Sequence, residues 1–271
     1  MAAHSQYQHA KSTDSSASKL TITEHVAHNK SFSCFALPQR ERDYQDNKYQ
    51  QWLATFACSS VFENTSITQL TALSRLIPLL LCGEQSANFV FGQEAQRLQT
   101  QSDCPAQNKA IAGLLEIESD EHFHDVALQA VLKEVNRLIA QANNDKPTTQ
   151  ATNRQAQLFY LQLGKTKNLT EHLAQIFHLD TCVTLIMSAM AKSNLGANHQ
   201  VVELFKLIQK DESKHVHICS EHIRYLGGDM QQLKKQAVPI KAKLVKLLAT
   251  ETDSFSQLGI NPEQLFQRIS K

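Results

Sequence analysis

The chain has 271 residues with only 8 Gly and 6 Pro, and 42% of them are hydrophobic. So few turn formers speak against a strand-dense fold, and the apolar share is enough for the core of one large domain. Lys and Arg number 27 against 26 Asp and Glu, a formal charge of +1, so no net field draws the chain to nucleic acid or to an anionic membrane.

Residues 1–40 are rich in Ser, Gln, His and Lys and poor in large apolar side chains, so a polar, mobile N-terminal tail is expected there. The start lacks the basic-then-apolar pattern of a secretory signal. The longest apolar stretch, Leu76 to Cys82, is too short to cross a bilayer, which points to a soluble protein. Six cysteines, Cys34, Cys58, Cys82, Cys104, Cys182 and Cys219, are scattered without a CxxC pair and read as free thiols in a cytoplasmic protein.

A leading helix is expected within 41–66, where Trp52, Leu53, Phe56 and Ala57 share one side. Four longer helical patterns follow, at about 68–100, 107–142, 168–195 and 199–227. Their connections run short, long, short, the spacing of two antiparallel helix pairs joined by a crossover. Together they make a bundle over 67–228, closed by the Gly227-Gly228 stop signal. Residues 229–271 are expected to form accessory helices on that bundle, the last opening at Pro262. The fold class is therefore all-α: a four-helix bundle with a long crossover between helices 2 and 3, plus accessory helices at both ends.

The chemistry is carried by a repeated pentapeptide, Asp120-Glu121-His122-Phe123-His124 and Asp211-Glu212-Ser213-Lys214-His215. Chance predicts only about 0.03 Asp-Glu-x-x-His matches in a chain of this composition. Residues three apart on a helix lie about 60° from each other, so the Glu and His of each motif reach one point from one face. Two metal ions in a bundle need a further carboxylate from each of the other two helices. Glu84 interrupts the apolar stripe of Ile77, Leu80, Leu81, Phe91, Ala95 and Leu98, whereas Glu94 lies at its edge. Asp180 is centred among Leu173, Ile176, Phe177, Val183 and Met187, whereas Glu171 points about 180° away. Four acids interrupting core stripes would repel one another and cost several kcal/mol if unpaired, a conflict that divalent metal resolves.

The Asp that opens each motif lies about 100° round from its Glu, too far to share its metal. A metal-bound His ordinarily donates its other ring N–H to a carboxylate, so a crossed pairing is expected, Asp120 with His215 and Asp211 with His124. Glu118 is a candidate extra ligand or proton relay, beside the simpler reading of an edge acid. His122, His217 and His222 lie off the stripe centres and read as solvent-facing or outer-layer residues. Phe91, Thr184, Met187, Phe205 and Cys219 flank the acids on their stripes and are candidate pocket walls.

Glu84, Asp180 and the two repeated motifs together resemble the ligand set of the ferritin-like di-iron carboxylate superfamily. The resemblance implies a ferritin-like bundle with metal ligands at Glu84, Glu121, His124, Asp180, Glu212 and His215, one His to each of two iron ions. Manganese, alone or mixed with iron, suits the same donors. Asp180 stands where Glu is commoner. Leu128, one turn after His124, departs from the radical-forming Tyr of ribonucleotide reductase small subunits. Val183 and Thr184, one turn after Asp180, and the lack of a CxxC module depart from rubrerythrins. The layout is nearest to di-iron oxygenases of the p-aminobenzoate N-oxygenase type, from whose extra histidine the chain departs at Ile208. The resemblance thus implies an oxygenase or oxidase that uses O2 on a small apolar, aromatic or acyl substrate. Electrons would come from an external donor such as a ferredoxin or reductase, since no flavin or iron–sulfur motif is visible. No nucleic acid or membrane partner is expected, and a homodimer is compatible. The alternative is a ferroxidase or iron-storage protein without organic substrate.

Overall fold

Helix α1 (Lys48–Cys58) buries Tyr49, Trp52, Leu53 and Phe56 along one side and leaves Ala57 exposed. It belongs to a computed structural model that describes residues 32–35, 48–100, 105–144, 154–163 and 169–271. Helix α2 (Ile67–Gln99) opens on a capping box: Ser66 Oγ accepts from the Gln69 N–H at 3.2 Å, and Gln69 Oε1 accepts from the Ser66 N–H at 2.9 Å. Two orphan donors are satisfied by that exchange. Helix α3 (Pro105–Ala142) begins with proline, whose missing N–H would have no partner in a first turn. Helix α4 (Arg154–Leu163) lies in the crossover, and α5 (Leu169–Met190) and α6 (Gln200–Tyr225) form the second pair. At the end of α6, Gly227 takes φ 77°, and the N–H groups of Gly227 and Gly228 donate to Arg224 O and Ile223 O, both at 2.9 Å. A side chain at Gly227 would strain that left-handed turn. Helix α7 (Met230–Leu248), a 3₁₀ turn (Ala249–Glu251), α8 (Thr252–Gln257) and α9 (Pro262–Ser270) complete the chain.

Helix α2 packs along α3 and α5 along α6, and α3 meets α6 across the bundle, while α2 and α5 stand apart. Helix α1 covers α3, α7 lies on α5, α8 on α2, and α9 on α7 and α5. The chain is thus all-helical, with no strand among the described residues. Two local differences from the sequence reading matter. The crossover carries a helix of its own, α4, set on α2 and α7, and the third long helix ends at Met190 instead of near 195.

The buried apolar residues fall into two clusters. One contains Leu73, Ile77, Phe123, Leu128, Met187 and Phe205; the other contains Phe91, Leu98, Leu114, Leu173, Cys219 and Ile223. On each of the four long helices the change from one cluster to the other falls at the acids: Glu84 on α2, Glu121 on α3, Asp180 on α5 and Glu212 on α6. A polar layer therefore divides the core. Helix α5 is the one helix among the described residues long and apolar enough by composition to cross a membrane, and 56% of the relevant stretch is buried inside the bundle.

Residues 32–35 correct two expectations. Phe32 and Cys34 are buried rather than part of a mobile tail reaching residue 40, and Cys34 forms a disulfide with Cys82, their Cα atoms 5.4 Å apart. The six-thiol reading fails for that pair, so cysteine usage no longer argues for a reducing compartment. Among the described residues Cys58, Cys182 and Cys219 are free, while Cys104 lies outside them, as do residues 1–31 and 36–47. A buried set of side chains seats the segment. Gln85 Oε1 accepts from the Cys34 N–H at 2.8 Å, Gln129 Oε1 accepts from the Phe32 N–H at 3.1 Å, and Gln85 Nε2 donates to Asp125 Oδ1 at 2.8 Å. With the two cysteines 48 positions apart, local spacing could not reveal the pair.

Candidate metal centre

Glu84, Glu121, His124 and Glu212 come from α2, α3 and α6, and each offers a ligand atom such that all four atoms lie within 4.8 Å of one another. All four residues are buried. His124 Nδ1 faces the group, 2.9 Å from Glu84 Oε2, 3.7 Å from Glu212 Oε1 and 3.8 Å from Glu121 Oε2. The second motif's histidine stands beside it, the two rings 5.8 Å apart. His215 Nδ1 lies 3.2 Å from Glu121 Oε1 yet is not aligned for a hydrogen bond with it, and it has no hydrogen-bond partner among the described residues. Asp180 lines the same cavity as the three glutamates, and its buried Oδ2 likewise lacks a partner among the described residues. Carboxylates and inward-facing imidazole nitrogens of this kind suit a divalent cation with mixed N and O donors.

The outer nitrogens face carboxylates of the opposite motif. His215 Nε2 is 3.2 Å from Asp120 Oδ2, and His124 Nε2 is 3.4 Å from Asp211 Oδ2. The pairing is therefore crossed between α3 and α6, so each ring turns one nitrogen inward and one toward an aspartate. A half-exposed lysine caps each aspartate: Lys214 Nζ donates to Asp120 at 2.6 Å, and Lys48 Nζ to Asp211 at 2.5 Å. Asp211 also accepts the Tyr49 hydroxyl at 2.6 Å, and the Tyr49 ring meets the edge of His124 at 5.2 Å.

These surroundings divide the acids into two kinds. Burial pushes Glu121 and Glu212 well above the usual carboxylate range, and the charge of Glu84 adds to it. Burial also lifts Asp180, to about 7. Around Glu84 burial acts in the same upward direction, but the charge and hydrogen bond of His124 outweigh it and the pKa is lowered. Burial opposes charge on His124, and Glu84, Asp211 and Glu121 overcome it, so that imidazole is raised well above its ordinary value. Asp120 and Asp211 are held low despite burial, by His215 and Lys214 in one case and by His124, Lys48 and Tyr49 in the other. Without a cation the inner group thus stores protons, while the outer aspartates stay ionised. A cation entering it would release those protons.

The chain matches no family model, no curated protein and no solved structure.

Between α2 and α5, under α4 and α7, lies a cavity of about 50 Å³ whose walls include Leu80, Leu179, Ile186 and Leu247 beside Glu84, Glu121, Asp180 and Glu212. None of the five expected wall residues lines it. Phe91 and Cys219 pack in one apolar cluster, Met187 and Phe205 in the other, and the Thr184 hydroxyl donates to Asp180 O at 2.9 Å. The stripes reach the cavity instead through Leu80, Ile176 and Val183, between α2 and α5. Glu118 is buried outside the inner four, its carbonyl accepting from Asn88 Nδ2 at 2.7 Å. Glu94 and His222 form a separate buried pair at 2.9 Å, with Arg97 also donating to Glu94 at 2.6 Å. His222 is therefore buried, whereas the His217 side chain is 73% exposed.

Helical periodicity overlooked three residues around the group. Lys48 and Tyr49 come from α1, where Tyr49 extends the Trp52–Phe56 stripe by one turn, a signal that was present but had no partner in view. Tyr160, on α4, lines the cavity with its hydroxyl against Gly83, where an added Cβ would stand 2.8 Å from it. Burial, with Glu84 and Asp180 nearby, raises the Tyr160 pKa and keeps the phenol protonated.

Proposed function

We propose that this protein is an oxygenase or oxidase whose carboxylate–histidine group holds two iron ions, with manganese as the substitute, and acts with O2 on an apolar substrate in the adjoining cavity. One observation carries the reading: both motif histidines turn Nδ1 toward buried carboxylates and Nε2 toward a lysine-capped aspartate. A structural ion-pair network has no need to leave a buried His215 Nδ1 and Asp180 Oδ2 without a hydrogen bond. Glu84, Glu121, His124, Asp180, Glu212 and His215 would hold the ions. The bound pair would supply the reduction of O2 and the oxidising power directed at the substrate.

The chain's own residues have definite parts in such a reaction. Asp120 and Asp211 fix the tautomer and orientation of the two imidazoles. Aliphatic side chains from α2, α5 and α7 keep bulk water from the acids. Asp180 contributes the carboxylate from α5, on the side of the group that borders the cavity. Electrons come from an external donor, a ferredoxin or a reductase.

The deciding experiment is elemental analysis of anaerobically reduced protein followed by O2 uptake. About two iron ions per chain, with uptake that depends on a reductant, support the reading. Oxidation of many added Fe(II) per chain supports ferroxidase or storage activity instead, and absence of bound metal rejects the centre.

A further inference from the structure

The cavity beside the acids continues along the bundle. A second, smaller space of about 10 Å³ adjoins it, and the two share Leu79, Leu80, Ile186 and Leu248 as walls. The far end is closed by Leu76, Met190 and Phe255. At the near end Ser86, Ala87 and His172 are only half-buried. The helices run in opposite senses here, since the passage moves backward along α2 from Glu84 to Leu76 and forward along α5 from Asp180 to Met190. At 1.5 Å per residue these are drops of about 12 Å and 15 Å, so two independent rulers agree on the depth.

From this geometry we infer that the substrate is a straight aliphatic chain with a neutral polar end, which threads between α2 and α5 beneath α7 and passes the acid layer. The inference rests on the di-metal reading only for what happens to the chain, not for its binding. Beside and past the acids the walls are Leu, Ile and Val with the Tyr160 ring set against Gly83, and Met190 and Phe255 close the far end. A narrow passage between branched aliphatic side chains widens by rotamer changes around a chain one methylene across, whereas a ring would need the helices to part. The acid layer disfavours an anionic end at the near side, and burial lowers the His172 pKa, leaving it a neutral partner for a hydroxyl or carbonyl. An extended alkyl chain advances about 1.25 Å per bond, so 12 Å takes about ten carbons.

The test is isothermal titration of the full-length protein, as isolated and after chelation, with 1-hexanol, 1-octanol, 1-decanol, 1-dodecanol and 1-tetradecanol, and with benzyl alcohol for comparison. Affinity is expected to rise about fourfold per added methylene and to level off at about ten to twelve carbons. Benzyl alcohol is expected to bind less tightly than octanol. Ile186→Trp, or the milder Leu248→Phe, fills the junction of the two spaces and should bring the plateau down to about six carbons while leaving hexanol within about twofold. A flat series, tighter binding of benzyl alcohol, or an unmoved plateau in folded variants overturns the assignment. If neither variant folds, the wild-type series decides alone. Chain-length dependence after chelation stands even if no metal is found in the protein. A metal-loaded protein without that dependence refutes the substrate class and leaves the metal reading intact.

Discussion

Asp211 and His124, 87 positions apart in the chain, meet at 3.4 Å through Oδ2 and Nε2, with Lys48 and Tyr49 closing over the carboxylate from α1. The aspartate sets which nitrogen of the imidazole faces the buried acids. Asp211→Asn should therefore weaken metal affinity by about 10- to 100-fold, and Asp120→Asn should do the same through His215. Competition against a chromogenic chelator measures this. Unchanged affinity in both variants would detach the aspartates from the centre.

Removal of an inner acid should cost metal outright. Glu121→Ala or Glu212→Ala is expected to lose at least one metal equivalent by elemental analysis, whereas Glu171→Ala, on the opposite face of α5 from Asp180, should keep the full complement. If Glu171→Ala loses as much as Asp180→Ala, the wrong acid on α5 has been assigned.

Protons stored in the inner group make the metal-free protein sensitive to pH in a definite sense. Asp180 ordinarily loses its proton at 3.8 but holds it to about 7 when folded, and Glu121 and Glu212 are displaced in the same direction. The folded chain then binds more protons than the unfolded one, so stability is full below the ordinary value and falls as pH rises through the window. His124 continues the fall, because its raised folded pKa stabilises below 6.5 and is lost above. Urea midpoints of chelated protein should drop from pH 5 to pH 8, and Asp180→Asn should flatten the slope. Metal affinity should run the other way, rising with pH as the protons leave. A midpoint that climbs over this range in chelated protein would contradict the shifts.

The Cys34–Cys82 bond closes a loop of 48 residues, and constraint of that length in the unfolded chain stabilises by about 2–4 kcal/mol. Cys34→Ser should lower the thermal midpoint by about 5–10 °C. The same fall is expected in wild-type protein after reduction under denaturing conditions, with no further change when the variant is reduced. An equal response of variant and wild type to reductant would mean that the bond does not form in solution.

Periodicity made the four long helices and the four acids legible because both depend on one quantity, the angle between successive side chains. Glu84 and Asp180 stood out as charged residues in apolar stripes, and the 100° offset of each motif's Asp was enough to aim it at the opposite histidine. The same quantity is silent about contacts between distant segments. Tyr160 sits on a crossover helix with only three buried residues, Ala156, Phe159 and Leu163. Cys34 is seated by amides from α2 and α3. Stripe residues Leu80, Ile176 and Val183 do line the cavity, but its cover comes from Leu163 on α4 and Leu244, Leu247 and Leu248 on α7, which no stripe on the four long helices reveals.

Gln85, which bonds Cys34, follows Glu84, and Asp125, which accepts from Gln85 and Gln129, follows His124, so part of the seat of residues 32–35 is rooted one position along from the inner acid and histidine. The backbone of Phe32 and Cys34, tied down by the bond to Cys82, supplies hydrogen-bond donors and acceptors to the buried amides of Gln85 and Gln129. Displacement of Phe32 and Cys34 would open that cluster to water and bear, through the adjacent peptide bonds, on the footing of Glu84 and His124.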